Sequence, residues 1–149
     1  MATTPLTRPE LASRLRLALT RTARRLRQEA GAGLSPSQTA AMATIDRHGP
    51  LTPSELAAHE RIQRPTATRL LAKLEEDGFV TRAPDPRDRR SCLIALSADG
   101  AATLRAVRSR KDAYLAQRLR ALDADDLATL ARAAAILERM LDDDREGGR

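Results

Sequence analysis

Apolar side chains recur every three or four residues along most of this chain, the spacing that places them on one face of an α-helix. Two short apolar runs, Phe79–Val80 and Cys92–Leu96, interrupt this pattern and favour the strands of a β-hairpin. The fold class that follows is mainly α with a small β-hairpin. The predicted helices cover about residues 8–30, 36–47, 53–60, 64–77, 98–121 and 124–141.

Capping signals mark where these helices start and end. Three starts are capping boxes, in which a hydroxyl residue is followed three positions later by Glu or Gln, and they begin at Thr7, Ser35 and Thr52. Ser97 and Asp123 supply simpler caps for the fifth and sixth helices, and Gly78 is expected to end the fourth in the left-handed conformation. Gln63 precedes the fourth helix and is a poorer cap than serine, so either Arg64 shifts the start of the helix or its first turn is less firmly held.

The third and fourth helices are short and are separated only by residues 61–63, which is the spacing of a helix-turn-helix. A stripe of Ala67, Leu70, Leu71 and Leu74 would bury one face of the fourth helix. Alone, this pattern more often marks an ordinary amphipathic surface helix, but a basic hairpin follows it directly. The opposite face can therefore enter a major groove and reach base edges. The residues we assign to that contact are Arg64, Pro65, Thr66, Thr68, Arg69 and Lys73.

The segment between the two apolar runs, residues 82–90, reads Arg-Ala-Pro-Asp-Pro-Arg-Asp-Arg-Arg. Its prolines and charges are unsuited to a core, so we expect an exposed tip. Arginine is favoured in a narrow minor groove, where negative potential is concentrated. We assign this contact to Arg87, Arg89 and Arg90, with Asp88 orienting an arginine side chain. Ser37 and Gln38, at the start of the second helix, could add a phosphate contact.

Composition agrees with a polyanionic partner, because the formal net charge is +6 and the sequence pI is about 10.8. Phe79 and Tyr114 are the only aromatic residues, which disfavours a stacking platform for single strands. The single cysteine, Cys92, excludes an intrachain disulfide and fits a reducing cytoplasm. No run of residues suits a signal peptide or a transmembrane helix, so we expect a cytoplasmic protein and no membrane partner.

Residue patterns typical of catalysis or metal binding are missing from the sequence. His48 and His59 each stand near a helix end, where a dipole interaction is the simplest interpretation. Cys92 is interpreted as a packing residue, and the acidic residues 142–144 as part of a solvated, frayed tail. We find no metal-ligand spacing, phosphate loop or nucleophile elbow, and therefore expect no enzyme activity, no metal and no cofactor.

Four segments together resemble the MarR family of winged helix-turn-helix regulators: Leu51–Ala57, Arg64–Val80, Asp85–Arg90 and Leu96–Gly100. The resemblance implies a homodimer that binds a pseudo-palindromic DNA site with each wing in a minor groove. It also implies that Arg90, with Asp88 as its partner, is the wing residue that enters this groove. A small ligand or an oxidant is then expected to weaken DNA binding. The family's cleft would be lined here by the first, second and fifth helices.

Long apolar stripes on the first, fifth and sixth helices exceed what the short middle of the chain can cover, so we expect a partner chain. Intrachain packing of the same helices is the alternative. The residues assigned to dimerisation are Leu11, Leu15, Leu119, Leu130 and Leu137. We expect residues 1–149 to form one regulator, with a DNA-binding lobe at 35–97 and dimerisation helices at 6–31 and 98–141.

The function predicted from the sequence is a dimeric, sequence-specific DNA-binding transcriptional regulator, a repressor released by a small ligand or a stress signal. One alternative is an architectural protein that binds DNA without sequence preference. A second alternative is a helical protein-interaction module that does not bind DNA, in which the basic hairpin is only solvated charge.

Overall fold

The computed structural model describes residues 6–31 and 33–146, with residues 143–146 described by their backbone alone. It has the predicted mainly helical fold with one antiparallel hairpin. In chain order the elements are α1 (Arg8–Ala30), α2 (Pro36–His48), α3 (Pro53–Glu60), α4 (Arg64–Glu76), β1 (Val80–Asp85), β2 (Asp88–Leu96), α5 (Ala98–Leu119) and α6 (Ala124–Glu146).

The capping chemistry explains why most helix starts were predictable. The three capping boxes are confirmed, with Thr7, Ser35 and Thr52 each accepting a hydrogen bond from the backbone N–H three residues on. Asp123 does the same for the start of α6 at 2.8 Å. Gln63 makes no side-chain cap bond at the start of α4, as expected.

Two helix ends differ from the sequence prediction. α5 ends at Leu119, two residues early, and α6 continues to Glu146 instead of fraying from residue 142. No proline or glycine stands between residues 142 and 146, so nothing in the sequence stops the helix there. The side chains of residues 143–146 and all of residues 147–149 lie outside the described part of the chain.

The chain divides into two compact units, Met1–Lys111 and Asp112–Arg149. The core of the first unit is built from helices α2 to α5 and the hairpin, and its fully buried large side chains are Met42, Leu56, Leu71, Leu74, Ile94, Leu104 and Val107. In the described residues, no helix has the length and apolar content needed to cross a membrane.

The hairpin is longer and its turn is tighter than the apolar runs indicated. Val80 pairs with Leu96 at its base and Asp85 with Asp88 at its end, so only Pro86 and Arg87 form the turn. The expected nine-residue tip is therefore mostly strand. Backbone pairing needs no apolar side chains, and the polar outer half of a hairpin is invisible to a search for apolar runs.

A single hydroxyl connects the base of the hairpin to the helices on either side of it. Ser97 Oγ donates to the carbonyl oxygen of Gly78 at 2.6 Å and accepts from the N–H of Gly100 at 2.9 Å. Gly78 has φ +80°, which confirms the predicted left-handed residue after α4. A Cβ at Gly100 would lie 2.0 Å from the carbonyl oxygen of Phe79, so this packing requires glycine.

Candidate nucleic-acid interface

The amphipathic pattern predicted for α4 is present in the structure. Ala67, Leu71 and Leu74 are buried and Leu70 is half-buried, which fixes the helix against the core. The six residues assigned to the major groove all lie on its exposed surface: Arg64, Pro65, Thr66, Thr68, Arg69 and Lys73. A rigid helix thus presents short polar groups near its start and basic groups further along.

The turn between α3 and α4 is closed by a residue in an uncommon conformation. Arg61 has φ +53° and is the only non-glycine residue with positive φ in the described chain. The N–H of Ile62 donates to the carbonyl oxygen of Ala57 at 3.0 Å, which fastens the turn to α3. Nothing in the sequence distinguishes Arg61 for this conformation, because arginine carries no preference for it.

Local contacts occupy two of the polar groups on α4. Thr68 Oγ1 donates to the carbonyl oxygen of Arg64 at 3.0 Å. Lys73 Nζ lies 2.9 Å from Asp77 Oδ1 and 3.4 Å from Glu76 Oε2. The hydrogen bond to Asp77, followed by that to Glu76, raises the pKa of Lys73, so the ammonium remains charged. To contact a phosphate group, the Lys73 ammonium must first give up its bonds to these two carboxylates.

Asp85 is buried under the hairpin turn, although every charge of this segment was expected to be exposed. The Asp85 carboxylate accepts from Arg87 through three nitrogens: the backbone N at 2.9 Å, Nε at 3.2 Å and Nη2 at 3.4 Å. The backbone bond, and then the guanidinium, hold the pKa of Asp85 below its usual value. Asp is common at the start of such turns, where it accepts from the backbone N–H two residues on, so the sequence indicates this backbone bond but neither the burial of Asp85 nor its pairing with the guanidinium.

The pairing expected for Asp88 needs correction. Asp88 Oδ1 accepts from the backbone N–H of Arg90 at 2.9 Å, whereas the arginine fork of the wing is held by Asp85. Asp88 therefore orders the backbone at the start of β2 and does not orient a guanidinium. In the described residues, no ion pair engages the guanidinium of Arg89 or Arg90.

Arg89 and Arg90 are neighbours on β2 and are both exposed. Both lie where the hairpin is irregular: the pairing steps from Pro84 with Cys92 to Asp85 with Asp88, so residues 89–91 of β2 have no cross-strand partner. An irregularity of this kind bends the strand and re-aims its side chains. Both guanidiniums are therefore candidates for a groove contact.

The hairpin is joined to the end of α4 by a contact that the sequence did not reveal. Arg82 Nε donates to Glu75 Oε2 at 2.7 Å, and Arg82 Nη1 donates to Cys92 Sγ at 3.3 Å. The bond to Glu75, the largest of several causes, raises the pKa of Arg82. Cys92 is half-buried and packs against the core, which agrees with its interpretation as a packing residue. The orientation of the wing relative to α4 is thus fixed by side chains.

The start of α2 lies beside α4, as a phosphate contact there would require. Ser37 is exposed and lines a small groove together with Thr66 and Leu70. Gln38 is less available, because its Oε1 accepts from the N–H of Ser35 at 2.8 Å and its Nε2 donates to Asp77 at 3.4 Å. Ser37 is the better placed of the two predicted residues.

A cavity of about 690 Å³ opens between α1, α2 and α5, the three helices expected to line a cleft. No aromatic side chain lines it. Apolar groups such as Leu26, Leu34 and Val107 form much of its wall, and its charged lining residues are Arg24, Arg27 and Lys111. The cavity therefore suits a small, mostly apolar molecule that carries negative charge.

The two histidines form a stacked pair, with ring centroids 4.3 Å apart and ring planes inclined by 16°. Their positions near the ends of α2 and α3 were expected, but their contact was not, because it depends on how the two helices pack. No group of three or more potential ligands among the described residues could hold a metal ion.

The leucines assigned to dimerisation are accessible within each unit. On α1, Leu11 is 45% exposed and Leu15 is partly exposed. On α5 and α6, Leu119 and Leu130 are 37% and 48% exposed, and Leu137 is partly exposed. Isolated exposed leucines are ordinary, but several exposed apolar side chains on one helix, as on α1 and α6, are not.

Comparison with known proteins supplies the family. The model of the MarR family matches residues 34–92. An HTH-type transcriptional regulator of Mycobacterium tuberculosis is 38% identical over 134 residues, which are 89% of this chain and 94% of that protein. The multiple antibiotic resistance protein MarR of Salmonella typhimurium is 34% identical over 98 residues, 65% of this chain and 68% of that protein. A crystal structure from Pseudomonas aeruginosa, assigned as a transcriptional regulator, is similar with TM-score 0.80 and 36% identity, over 92% of this chain and 98% of that one.

Proposed function

The chain belongs to the MarR family of DNA-binding transcriptional regulators, and we propose that it acts as a homodimeric repressor of a specific duplex site until a small ligand weakens the complex. The observation that carries this proposal is the exposed polar face of α4 beside a hairpin whose Arg89 and Arg90 have no carboxylate partner among the described residues. The family consists of transcriptional regulators, so the chain belongs to a non-enzymatic class of proteins.

In this proposal α4 reads the major groove. Thr66, near the start of the helix, contacts base edges or a thymine methyl, and Arg64 and Arg69 reach guanine or phosphate. Pro65 and Thr68 line the approach, and Lys73 contacts phosphate. Arg90 enters the adjacent minor groove, and Ser37 binds a neighbouring phosphate. The exposure of all these side chains supports the assignment.

Dimerisation is supported by the apolar rows on both units. Burying the exposed leucines of α1, α5 and α6 against a second copy would remove apolar surface from water, which favours association. In this arrangement residues 35–97 form the DNA-binding lobe, and residues 6–31 and 98–141 supply the dimerisation helices. A two-fold dimer would place two copies of α4 about one DNA turn apart, roughly 34 Å.

Ligand control is supported by the cavity between α1, α2 and α5. Its volume lies within the range of small-molecule sites, and it combines apolar walls with a few polar groups, as such sites do. We propose that a small organic anion binds there, with Lys111, Arg24 or Arg27 facing its charged group. A change in the spacing of α1 and α5 would then alter the distance between the two copies of α4.

Binding to the chain's own upstream DNA, compared with a scrambled duplex of the same length at physiological salt, tests the DNA-binding part of the proposal. Specific recognition predicts a preference on the order of a thousandfold or more. Equal affinity would favour an architectural protein without sequence preference. The log–log dependence on salt should have a slope of roughly −5 to −9 for a dimer that neutralises about six to ten phosphates. Absence of binding even at low salt would favour a protein-interaction module.

A thermal-shift screen of small phenolics, antibiotics, organic acids and metals, repeated with bound DNA, tests the ligand part. An effector should raise the melting temperature of the free protein and lower its affinity for DNA, because it binds the two states differently. Lys111→Met should reduce the shift caused by an anionic hit. An equal shift in this variant would move the ligand away from the cavity.

A further inference from the structure

Most of the chain's net positive charge is concentrated on α1. This helix contains seven arginines and two glutamates, so its formal charge is +5 in a chain whose total is +6. The DNA-binding lobe, residues 35–97, contains nine basic and eight acidic residues and contributes only +1. The contacts proposed for α4 and the hairpin therefore do not account for the charge that the chain carries.

A general preference for arginine does not explain this distribution. Such a preference would act along the whole chain, yet residues 98–149 contain ten basic and ten acidic residues. The excess is confined to α1. The excess positive charge lies on the side of α1 away from its apolar residues. We therefore expect this charged side to have a binding role of its own.

The arginines of α1 occupy one side of the helix. At about 100° per residue, six of them fall within roughly half of the circumference, opposite the side that carries Leu11, Leu15, Leu19 and Leu26. We call this surface the arginine ridge, and its members are Arg14, Arg16, Arg21, Arg24, Arg25 and Arg27. Every member is exposed.

The acids of α1 leave most of this charge uncompensated. Glu10 is used in the capping box, where its Oε2 accepts from the N–H and the hydroxyl of Thr7 at 2.9 and 2.7 Å. Glu29 pairs with Arg25 at 2.9 Å. Within the described residues, the other five members of the ridge form no ion pair. The ridge thus combines high charge density with guanidiniums that have no carboxylate partner there.

We propose that the arginine ridge binds the phosphate groups of duplex DNA, at a surface separate from α4 and the hairpin. Guanidinium forks match phosphate oxygens in a bidentate geometry, and arginine is the basic residue throughout the ridge. A helix of 23 residues is about 35 Å long, which is close to one turn of duplex. The chain is a DNA-binding regulator, so duplex DNA is the polyanion that it already meets.

Two other occupants fit less well. An amphipathic helix that lies on a membrane presents its apolar side to the lipid and commonly carries aromatic residues there, whereas α1 has none and its apolar side is the proposed dimer surface. Acidic residues of a second copy would have to match six arginines. Two of the acids of α6, Asp125 and Asp126, already stand in its first turn, where the helix dipole favours them.

Contacts through the ridge would be independent of sequence and sensitive to salt, because they involve phosphates only. The phosphate groups that the ridge binds can belong to either of two DNA segments. The ridge can bind DNA that flanks the recognised site on the same duplex, or it can bind a second duplex and bring two DNA segments together.

The test compares two triple variants of the full chain on a random-sequence 60-base-pair duplex. The first is Arg14→Gln/Arg16→Gln/Arg21→Gln, which removes members of the ridge that neither line the cavity nor pair with Glu29. The matched control is Arg105→Gln/Arg120→Gln/Arg139→Gln, which removes the same charge from exposed positions on α5, on α6 and in the turn between them. Glutamine preserves helix propensity, and circular dichroism verifies the folding of both variants.

The ridge variant should lose about tenfold or more in affinity at low salt, and its log–log salt slope should become shallower by about 3 to 5, while the control changes by less than about 1. Equal changes in both variants, or none in either, would overturn the proposal. So would dissociation of the ridge variant into monomers, because the ridge would then bind the partner chain. A loss of binding to vesicles of 30 mol% phosphatidylglycerol with unchanged DNA affinity would overturn it in favour of a membrane.

Two further experiments distinguish flanking DNA on the same duplex from a second duplex as the phosphates that the ridge binds. Both experiments use the wild type and the ridge variant. If flanking DNA is bound, the gain in affinity on lengthening the duplex from 20 to 60 base pairs should shrink in the ridge variant. If a second duplex is bound, an immobilised duplex should capture a labelled one through the wild type only. These results also distinguish failure of the ridge proposal from failure of the proposed repressor function. If the protein prefers the upstream site but the wild type and the ridge variant have equal salt slopes, only the ridge proposal is overturned. If the protein has no such preference but the two salt slopes still differ, only sequence-specific recognition is overturned.

Discussion

The Asp85 carboxylate lies under the hairpin turn and holds Arg87 through its backbone N–H and its guanidinium, at 2.9 to 3.4 Å. Asp85 is 4% exposed, so the pair connects the buried side of the hairpin to its outermost residue. The charge of Arg87 also helps to hold the pKa of Glu55 low, after the stronger effect of Thr52, which places the turn near the start of α3. We infer that Arg87 positions the wing and that Arg89 and Arg90 are left to contact DNA.

Asp85→Asn should destabilise the protein at neutral pH, because it removes the charge that pairs with Arg87. The folded protein holds the pKa of Asp85 below its usual 3.8, so the stabilisation is complete above a pH of about 4 and is lost as the carboxylate takes up a proton at lower pH. The difference in free energy of unfolding between wild type and variant should therefore shrink on acidification. Urea titrations at pH 7 and at several values below 4 measure it, and a difference that does not vary with pH would contradict the role of the ion pair.

Arg90→Ala should weaken DNA binding by about tenfold to a hundredfold and leave the dimer intact, because the residue is exposed and near the end of the hairpin. Arg89→Ala is the matched control, since it removes the same group from the adjacent exposed position on β2. Fluorescence anisotropy with upstream DNA measures both affinities. A larger loss in the control would transfer the role to Arg89, and unchanged affinity in both variants would transfer it to Arg87.

Thr66→Ala should change base preference more than overall affinity, if the start of α4 reads bases. Thr68→Ala is the comparison, because the Thr68 hydroxyl already donates to Arg64 and has less freedom to read a base. Affinities measured over a set of single-base variants of the site distinguish the two. A uniform loss over all sequences would identify Thr66 as a phosphate contact instead.

Ser97→Ala should lower the free energy of unfolding by about 1 to 2 kcal/mol, because the cap of α5 and the bond to Gly78 are both lost. Ser54→Ala, at an exposed position in the first turn of α3, should change it by less than about 0.5 kcal/mol. Urea denaturation measures both variants. Equal stability of the two would mean that water replaces the Ser97 hydroxyl without cost.

The helices could be predicted because their determinants are local. A box such as Ser35 and Gln38 satisfies N–H groups within one turn, so its effect does not depend on the rest of the fold. The stripe of Leu71 and Leu74 repeats at the helical period, so the face of α4 that becomes buried is also legible. The residues of α4 outside this stripe are then predicted to be exposed.

The details of the wing could not be predicted in the same way, because they depend on pairing between strands. Asp85 is buried where it pairs with Asp88 beside the turn, beyond an irregularity in the ladder, and polar residues give no sign of such a pairing. The contact of Arg82 with Glu75 and the stacking of His48 on His59 depend on how separate elements pack. Sequence spacing identified which residues are basic and exposed, but not which carboxylates hold them.

The length of β1, from Val80 to Asp85, has a geometric consequence, since it sets how far the wing reaches. Six residues at about 3.3 Å each give a strand of roughly 20 Å. Beyond Pro84, β2 carries three residues, 89–91, that no residue of β1 opposes, and such an irregularity bends the strand and increases its twist. Arg89 and Arg90 lie on this segment, so the direction in which the wing presents them is set by the irregularity as well as by the length of the strand.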